Sequence, residues 1–248
     1  MRNRIALICA FALIVCSCKE EKPAPPPIPD PDAPSLDLTI IKSADAALQA
    51  AYVSTISKEN IVGSYTSFQG VAHARFFDSQ GNKTIVKKVI CEGYTLEEKG
   101  GLYKSNIENE QGIDFGSSTS WQVTGQFNVP TFNKDVASKV PEIGDINIRD
   151  SINSKDSVWL KINLQSAFTS LGNVDSINFS LAGKLNDLRY NSASTNDSVM
   201  LSPNQLKSLG TGKVYVKVEA YRIEVESMQG YNVAFINKGM FYKSLWLY

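Results

Sequence analysis

The stretch that decides the fold is residues 213–225, KVYVKVEAYRIEV. In a β-strand, successive side chains point to opposite faces. One face of this stretch therefore carries small and β-branched residues, namely Val214, Val216, Val218 and Ala220. The other face adds Tyr215, Tyr221 and Ile223. Because both faces hold apolar side chains, the pattern predicts a long strand in the centre of a sheet.

Shorter stretches on the N-terminal side alternate between apolar and polar residues, with one polar face each. They are residues 121–127, 158–165 and 176–181. A period of two with one polar face is typical of antiparallel strands that bury one side. The chain is therefore predicted to be all-β, an antiparallel β-sandwich arranged as one large or two small sandwiches.

Turn residues suggest how neighbouring strands pair. Residues 70–77 and 83–91 are predicted to form a hairpin around the glycine-containing loop 78–82. Residues 231–236 and 240–247 are predicted to pair across residues 237–239. Residues 45–52 fit either a short helix or an early strand.

One helix is predicted at residues 203–209. Ser202 is placed as N-cap, Pro203 at N1 and Gln205 at N3, which is a capping box, and Gly210 fits the position after the helix. A short helix that leads into a long penultimate strand resembles a recurrent feature of immunoglobulin-like sandwiches in Bacteroidetes surface proteins. That resemblance implies that the helix crosses from one sheet to the other. We place this immunoglobulin-like region at residues 136–248, after an N-terminal β region at residues 36–135.

The N-terminal segment predicts secretion. Arg2 and Arg4 precede a 13-residue, mainly apolar run, residues 5–17, which is too short to span a bilayer. The run ends in VCSC, residues 15–18, which resembles a bacterial lipobox. The resemblance implies a signal peptide at residues 1–17, cleavage before Cys18, and acylation of the Cys18 thiol. Several acyl chains give a durable membrane anchor.

The residues after Cys18 suggest a surface address. Lys19, Glu20 and Glu21 resemble the lipoprotein export signal of Bacteroidetes, which implies the outer face of the outer membrane. A solvated start to a linker, with a periplasm-facing anchor, is the alternative. Seven prolines between residues 22 and 35 favour an extended spacer of roughly 40 Å over those residues, within a tether at residues 18–35.

Composition excludes several function classes. The chain has 25 basic and 25 acidic residues, and loss of Arg2 and Arg4 with the signal leaves 23 basic residues, a net charge of −2. Nothing in that balance attracts nucleic acid. His73 is the only histidine and is expected to be a solvated or packed strand residue. Cys91 is the one thiol expected to remain free, as a small buried hydrophobe. They are too few for a usual zinc site, and we expect no cofactor, no metal and no catalytic residue.

One tryptophan has a clear expectation and another leaves a choice. Trp121 lies on an apolar face and is predicted to be core. Trp159 shares a face with Lys161, so it either stacks on a sugar ring or a protein partner, or is covered by the other half of the chain. We expect the covered arrangement. The strand at residues 240–247 is apolar on both faces, which predicts burial in a sheet or an exposed edge seeking a partner.

Three function classes remain. The first is a non-catalytic, lipid-anchored envelope protein that presents a β-sandwich for binding or adhesion at the bacterial cell surface. The second is a glycan-binding accessory lipoprotein of a polysaccharide-uptake system, for which Trp159 would be a ligand-binding residue. The third is a structural or assembly component of the envelope. The expected partners are the membrane, through the anchor, and a protein or a glycan.

Overall fold

The computed structural model describes residues 44–59, 63–106, 112–192 and 196–248. These residues are almost entirely β-strand and turn, as predicted, and belong to one compact unit that spans Ser35–Tyr248. The elements, in chain order, are β1 (Ala46–Glu59), β2 (Gly63–Phe77), β3 (Lys83–Thr84), β4 (Lys88–Cys91), β5 (Tyr94–Thr95), β6 (Glu97–Lys99), β7 (Leu102–Lys104), β8 (Thr119–Thr124), β9 (Phe132–Val136), β10 (Ile146–Asn147), β11 (Ser151–Ile152), β12 (Val158–Ile162), β13 (Ser176–Ala182), β14 (Asp187–Ser192), β15 (Ser198–Leu201), α1 (Pro203–Leu209), β16 (Gly212–Met228) and β17 (Tyr231–Leu247).

A 10-stranded sheet, which we call the large sheet, forms one layer. Its order is β14-β13-β16-β17-β1-β2-β7-β6, with β3 added to β2 and β11 added to β17. The predicted central strand is confirmed, because β16 lies between β13 and β17. Most pairs are antiparallel, but β1 and β11 run parallel to β17. Residues 46–52 are therefore strand, which resolves the choice between helix and strand there.

The predicted hairpin between residues 231–236 and 240–247 is wrong, since β17 runs unbroken through Asn237, Lys238 and Gly239. It pairs with β16 along its whole length, from Gly212 opposite Leu247 to Met228 opposite Tyr231. The three residues that suggested a turn are instead accommodated by tertiary contacts. Asn237 Nδ2 donates to Ser138 O at 2.7 Å, Lys238 pairs with Glu219, and Gly239 leaves room for the Pro141 carbonyl.

The predicted hairpin between residues 70–77 and 83–91 is correct only at its start. Lys83 and Thr84 pair with Phe77 and Phe76, and then the chain leaves the large sheet. β4 pairs with β8 in a second layer, where Val89 and Cys91 are fully buried. The burial of these two side chains outweighs continued pairing with β2.

Two small sheets cover one face of the large sheet. The first covering sheet has the order β5-β4-β8-β9, and the second has the order β10-β12-β15. Each encloses its own apolar core. Odd-numbered residues of β17 serve both, with Val233 and Phe235 in the first core and Phe241 and Leu245 in the second. The fold is therefore a sandwich with two cores over one shared sheet.

The predicted boundary near residue 135 lies close to the change of core. Val140 is the last residue of the first core before the chain reaches β17, which adds Tyr231, Val233 and Phe235 to that core. The second core begins at Ile143. The sheet itself is not divided there, because β1 at one end of the chain pairs with β17 at the other. The described residues thus combine both predicted arrangements, two cores within one continuous sheet.

The predicted helix and its capping box are confirmed. Ser202 Oγ accepts from Gln205 N–H at 3.4 Å, and Gln205 Oε1 accepts from Ser202 N–H at 2.8 Å. Leu206 and Leu209 are buried in the second core. The helix connects β15 of the second covering sheet to β16 of the large sheet, so the chain crosses between layers here.

Candidate binding cleft

Trp159 lies on β12 with its side chain on the outer face of the second covering sheet. It is 61% exposed, opposite Met200 on β15, so the expectation that another part of the chain covers it is wrong. The alternation of β12 explains the placement, because Leu160 and Ile162 turn inward and are fully buried. Trp159 and Lys161 must then face outward.

Trp159 forms one side of a cleft of about 810 Å³ at the β10 edge of the second covering sheet. The cleft is lined by β10, by the segment around β11, by the turn that follows and by Tyr248. The lining residues with aromatic or polar side chains include Trp159, Tyr248, Asp145, Arg149, Asn153 and Asp156. This volume lies within the range of ordinary ligand sites in proteins.

Lys243 fixes one wall of this cleft. Its ammonium donates to Ile148 O at 2.9 Å and lies 3.2 Å from the Asp150 carboxylate. The backbone adds a third bond, from Trp246 N–H to Asp150 O at 2.7 Å. The loop between β10 and β11 is therefore attached to β17 by both charge and backbone contacts.

Tyr248 is held in the cleft through its backbone. Its N–H donates to Ile152 O at 3.1 Å, and its carbonyl accepts from Ser154 N–H at 2.8 Å. Asn153 begins the neighbouring turn, since its Oδ1 accepts from Lys155 N–H at 2.9 Å and its carbonyl accepts from Asp156 N–H at 3.0 Å. Tyr248 as a whole remains 59% exposed.

The lining of the cleft combines hydrogen-bonding and aromatic groups. Its carboxylates, amide, guanidinium and hydroxyls can donate and accept hydrogen bonds, and its two aromatic side chains offer flat apolar surfaces. His73 and Cys91 lie outside this lining.

His73 and Cys91 are both packed inside the fold. His73 is buried on β2, opposite Gln49 on β1, so of the two expected arrangements, solvated or packed, the packed one is observed. Cys91 is fully buried in the first core, and burial raises the pKa of its thiol. A thiol that stays protonated is a poor nucleophile, so Cys91 acts as a small apolar residue, as predicted.

One buried ion pair lies on the large sheet away from both cores. The Lys238 ammonium is 2.6 Å from the Glu219 carboxylate, and both side chains are almost fully buried. Lys217 approaches the other oxygen of Glu219 at 3.2 Å. Burial lowers the pKa of Lys238, and the attraction of Glu219 opposes that shift. The pairing explains how a charged residue is accommodated within β17.

Among the described residues, no group of three or more His, Cys, Asp and Glu side chains is arranged to hold a metal ion. The same residues contain no helix long and apolar enough to cross a membrane. Cys18, Lys19, Glu20 and Glu21 lie outside the described part of the chain, so the anchor and its export signal stay predictions. No protein-family model and no curated protein matches this chain.

Sequence reasoning identified Trp159 as a candidate but missed its companions. Arg149, Asn153 and Asp156 lie between short strands, where no periodic pattern marks them, and Tyr248 follows β17. The available signal was the density of polar and turn-forming residues in SINSKDS, residues 151–157, directly before the strand that carries Trp159.

Proposed function

We propose that this chain is a non-catalytic, lipid-anchored envelope protein that presents its β-sandwich for binding or adhesion at the bacterial cell surface. The observation that carries the binding role is the cleft beside Trp159, where an exposed tryptophan and Tyr248 meet fixed polar groups. Exposed aromatic residues within a concave site are frequent anchors of recognition.

The lipobox-like segment at Cys18, the acidic residues after it and the proline-rich tether support the surface address. In this proposal the acyl chains hold the protein in the outer membrane, and the tether carries the sandwich away from the lipid. A periplasm-facing anchor is the alternative address.

A glycan-binding accessory lipoprotein of a polysaccharide-uptake system is the second candidate. The exposure of Trp159 favours it, because this interpretation requires an aromatic platform open to solvent. A structural or assembly role through an open edge at residues 240–247 has less support. β17 pairs with β16 on one side and with β1 and β11 on the other.

Site-specific crosslinking tests the binding role. A photoreactive amino acid at Lys161, which is exposed beside Trp159 on the same strand face, should capture a surface ligand on intact cells. The same probe at Phe127, which is exposed between β8 and β9 of the first covering sheet, is the matched control. Capture from position 161 should disappear when Trp159→Ala is added. Equal capture from both positions, or capture unaffected by Trp159→Ala, would contradict the proposed site.

Labelling tests the anchor and its address. The wild type should incorporate a labelled fatty acid and Cys18→Ala should not, because the thiol is the acylated group. Protease added to intact cells should remove the sandwich from the wild type. A labelled protein that resists protease until the outer membrane is opened would support the periplasm-facing address instead.

A further inference from the structure

We propose that the cleft beside Trp159 binds a neutral saccharide. This inference rests on the proposed binding function and specifies its ligand. It is carried by three features of the cleft: exposed aromatic residues, hydrogen-bonding groups of mixed kind, and a charge that disfavours anions.

The aromatic planes come from two directions. Trp159 projects from the outer face of β12, and Tyr248 follows β17, so two aromatic residues line one cleft from separate elements. Both are more than half exposed, while the aliphatic lining residues Ile146 and Ile152 are buried and Ile148 and Val158 are half-buried. The most exposed apolar residues that a ligand meets are therefore aromatic, and flat aromatic faces suit the C–H face of a sugar ring.

The polar groups of the cleft differ in hydrogen-bonding character. Asp156 offers acceptors, Arg149 offers donors, and the amide of Asn153 offers both. A hydroxyl group donates one hydrogen bond and accepts others, so it can pair with each of these side chains. A ligand with several hydroxyls satisfies such a set, whereas an apolar ligand would leave polar groups desolvated and unpaired.

The charge of the lining disfavours an anionic ligand. The lining holds two carboxylates, Asp145 and Asp156, and two cations, Arg149 and Lys243, but the Lys243 ammonium already lies 3.2 Å from Asp150, outside the lining. An acidic sugar, a phosphate or a nucleic acid would therefore meet two carboxylates with only the Arg149 guanidinium to pair with. Together with the aromatic and hydrogen-bonding groups, this charge favours a polyhydroxylated neutral molecule.

The cleft is organised before a ligand arrives. Lys243 and the backbone of Trp246 hold the loop at Ile148 and Asp150, and the bonds of Tyr248 hold the loop at Ile152 and Ser154. A preformed site loses little conformational entropy on binding. We therefore expect the saccharide to bind without a change in the β10–β12 backbone.

Tryptophan fluorescence and a glycan array test this proposal on the full-length protein in detergent. Trp246 is also exposed but does not line the cleft, and Trp121 is buried. Trp246→Phe therefore leaves Trp159 as the only exposed tryptophan. Neutral oligosaccharides should perturb its emission in a saturable way and bind more tightly than uronic-acid or sulfated glycans.

Substitutions locate the binding. Trp159→Ala should weaken saccharide binding about thirtyfold or more, the size of a binding hot spot, and Phe127→Ala, an exposed aromatic control outside the cleft, should change it less than about twofold. Arg149→Met should also weaken binding, and unchanged unfolding midpoints would show that the variants are folded. Preference for acidic glycans, or binding untouched by Trp159→Ala, would overturn the neutral-saccharide proposal.

The outcomes separate this proposal from the proposed function. If Trp159-dependent crosslinking on cells captures a protein and no neutral glycan binds, the binding function stands and the saccharide assignment fails. If neither crosslinking nor glycan binding depends on Trp159, both proposals fail.

Discussion

Trp121 and Trp159 occupy comparable places in the two covering sheets but differ in burial and in role. Each lies on a middle strand, Trp121 on β8 and Trp159 on β12. Trp121 faces the large sheet and is 1% exposed, whereas Trp159 faces away and is 61% exposed. The same residue type thus stabilises one half of the molecule and marks a surface site in the other. The difference comes from the face of the strand on which each side chain lies, and not from the residue type.

We call the first covering sheet with its core the first half of the molecule, and the second covering sheet with its core the second half. The two halves also differ in how far the edge of the covering sheet is linked to the large sheet. In the first half, Lys134 of β9 contacts Glu224 and Glu226 of β16, which links the edge of the covering sheet to the large sheet. In the second half, the β10 edge is followed by loops, and the cleft opens there. The first half is therefore closed at this edge, and the second half offers the candidate site. Four predictions can break or sharpen this contrast.

The largest difference should come from the tryptophans themselves. Trp121→Ala removes a fully buried side chain and should lower the free energy of unfolding by about 3–5 kcal/mol. Trp159→Ala, the matched control, should change it by about 0.5 kcal/mol or less, because the site is exposed. Guanidinium-induced unfolding measures both. Similar losses from the two variants would contradict the contrast.

A second test addresses the junction of the halves. A Cβ at Gly239 would lie 2.6 Å from Pro141 O, a backbone atom that cannot move freely. Gly239→Ala should therefore cost about 1–3 kcal/mol of unfolding free energy, as overpacked positions do. Gly116→Ala is the control, since a Cβ there would meet nothing within 4 Å. No loss in Gly239→Ala would mean that the chain at Pro141 is not held against β17.

The third prediction concerns alkaline pH. Burial raises the pKa of Tyr52 and of Tyr231 from the ordinary 10.0 to about 12, and both side chains belong to the first core. Between about pH 10 and pH 12 the unfolded chain loses these protons before the folded chain does. In this range the unfolded chain binds fewer protons than the folded chain, so the free energy of unfolding falls as pH rises.

Tyr231→Phe should reduce that slope, because it removes one of the two groups. It should also lower stability at neutral pH by about 1–2 kcal/mol, because its hydroxyl contacts the carbonyls of Asp45 and Phe77 at 2.6 and 2.9 Å. Thermal unfolding measured from pH 9 to pH 11.5 provides the test. An unchanged slope in Tyr231→Phe would show that Tyr231 does not contribute to the loss of stability at alkaline pH.

The smallest effect should come from the helix cap of the second half. Ser202→Ala removes the acceptor for Gln205 N–H and should cost about 1 kcal/mol. Ser208→Ala, in the same helix but not at the cap, should stay within about 0.5 kcal/mol. Because both halves share β16 and β17, each variant should keep a single unfolding transition. Two separate transitions would indicate that the halves unfold independently.

The elements that were predicted correctly depend on local signals. The alternation of β12 and β16, the buried face of β8 and the capping box of α1 each involve residues close together in the chain. The elements predicted wrongly depend on distant partners. Asn237 and Lys238 resemble turn residues in the sequence, but their contacts with Ser138 and Glu219 accommodate them within β17. Residues 88–91 changed partner because the first core offered burial that β2 did not.

The candidate site was predictable only in part. Alternation placed Trp159 on a polar face, and that inference was right, but whether anything covered the face depends on how the layers stack. Lys243 and Asp150 are far apart in the chain, and only the pairing of β11 with β17 brings them together. The lipid anchor at Cys18 stays a prediction from the sequence, tested by the labelling experiment.

By itself, the sequence determined the strand-forming character of the chain, the inward face of its clearest strands and the one capped helix, because these follow from backbone geometry and neighbouring side chains. The tertiary structure alone decided that two cores share one sheet and that β17 continues through its polar centre. It also decided that an exposed tryptophan lies beside Tyr248 in a cleft. Those features require contacts between residues far apart in the chain, and no local pattern encodes them.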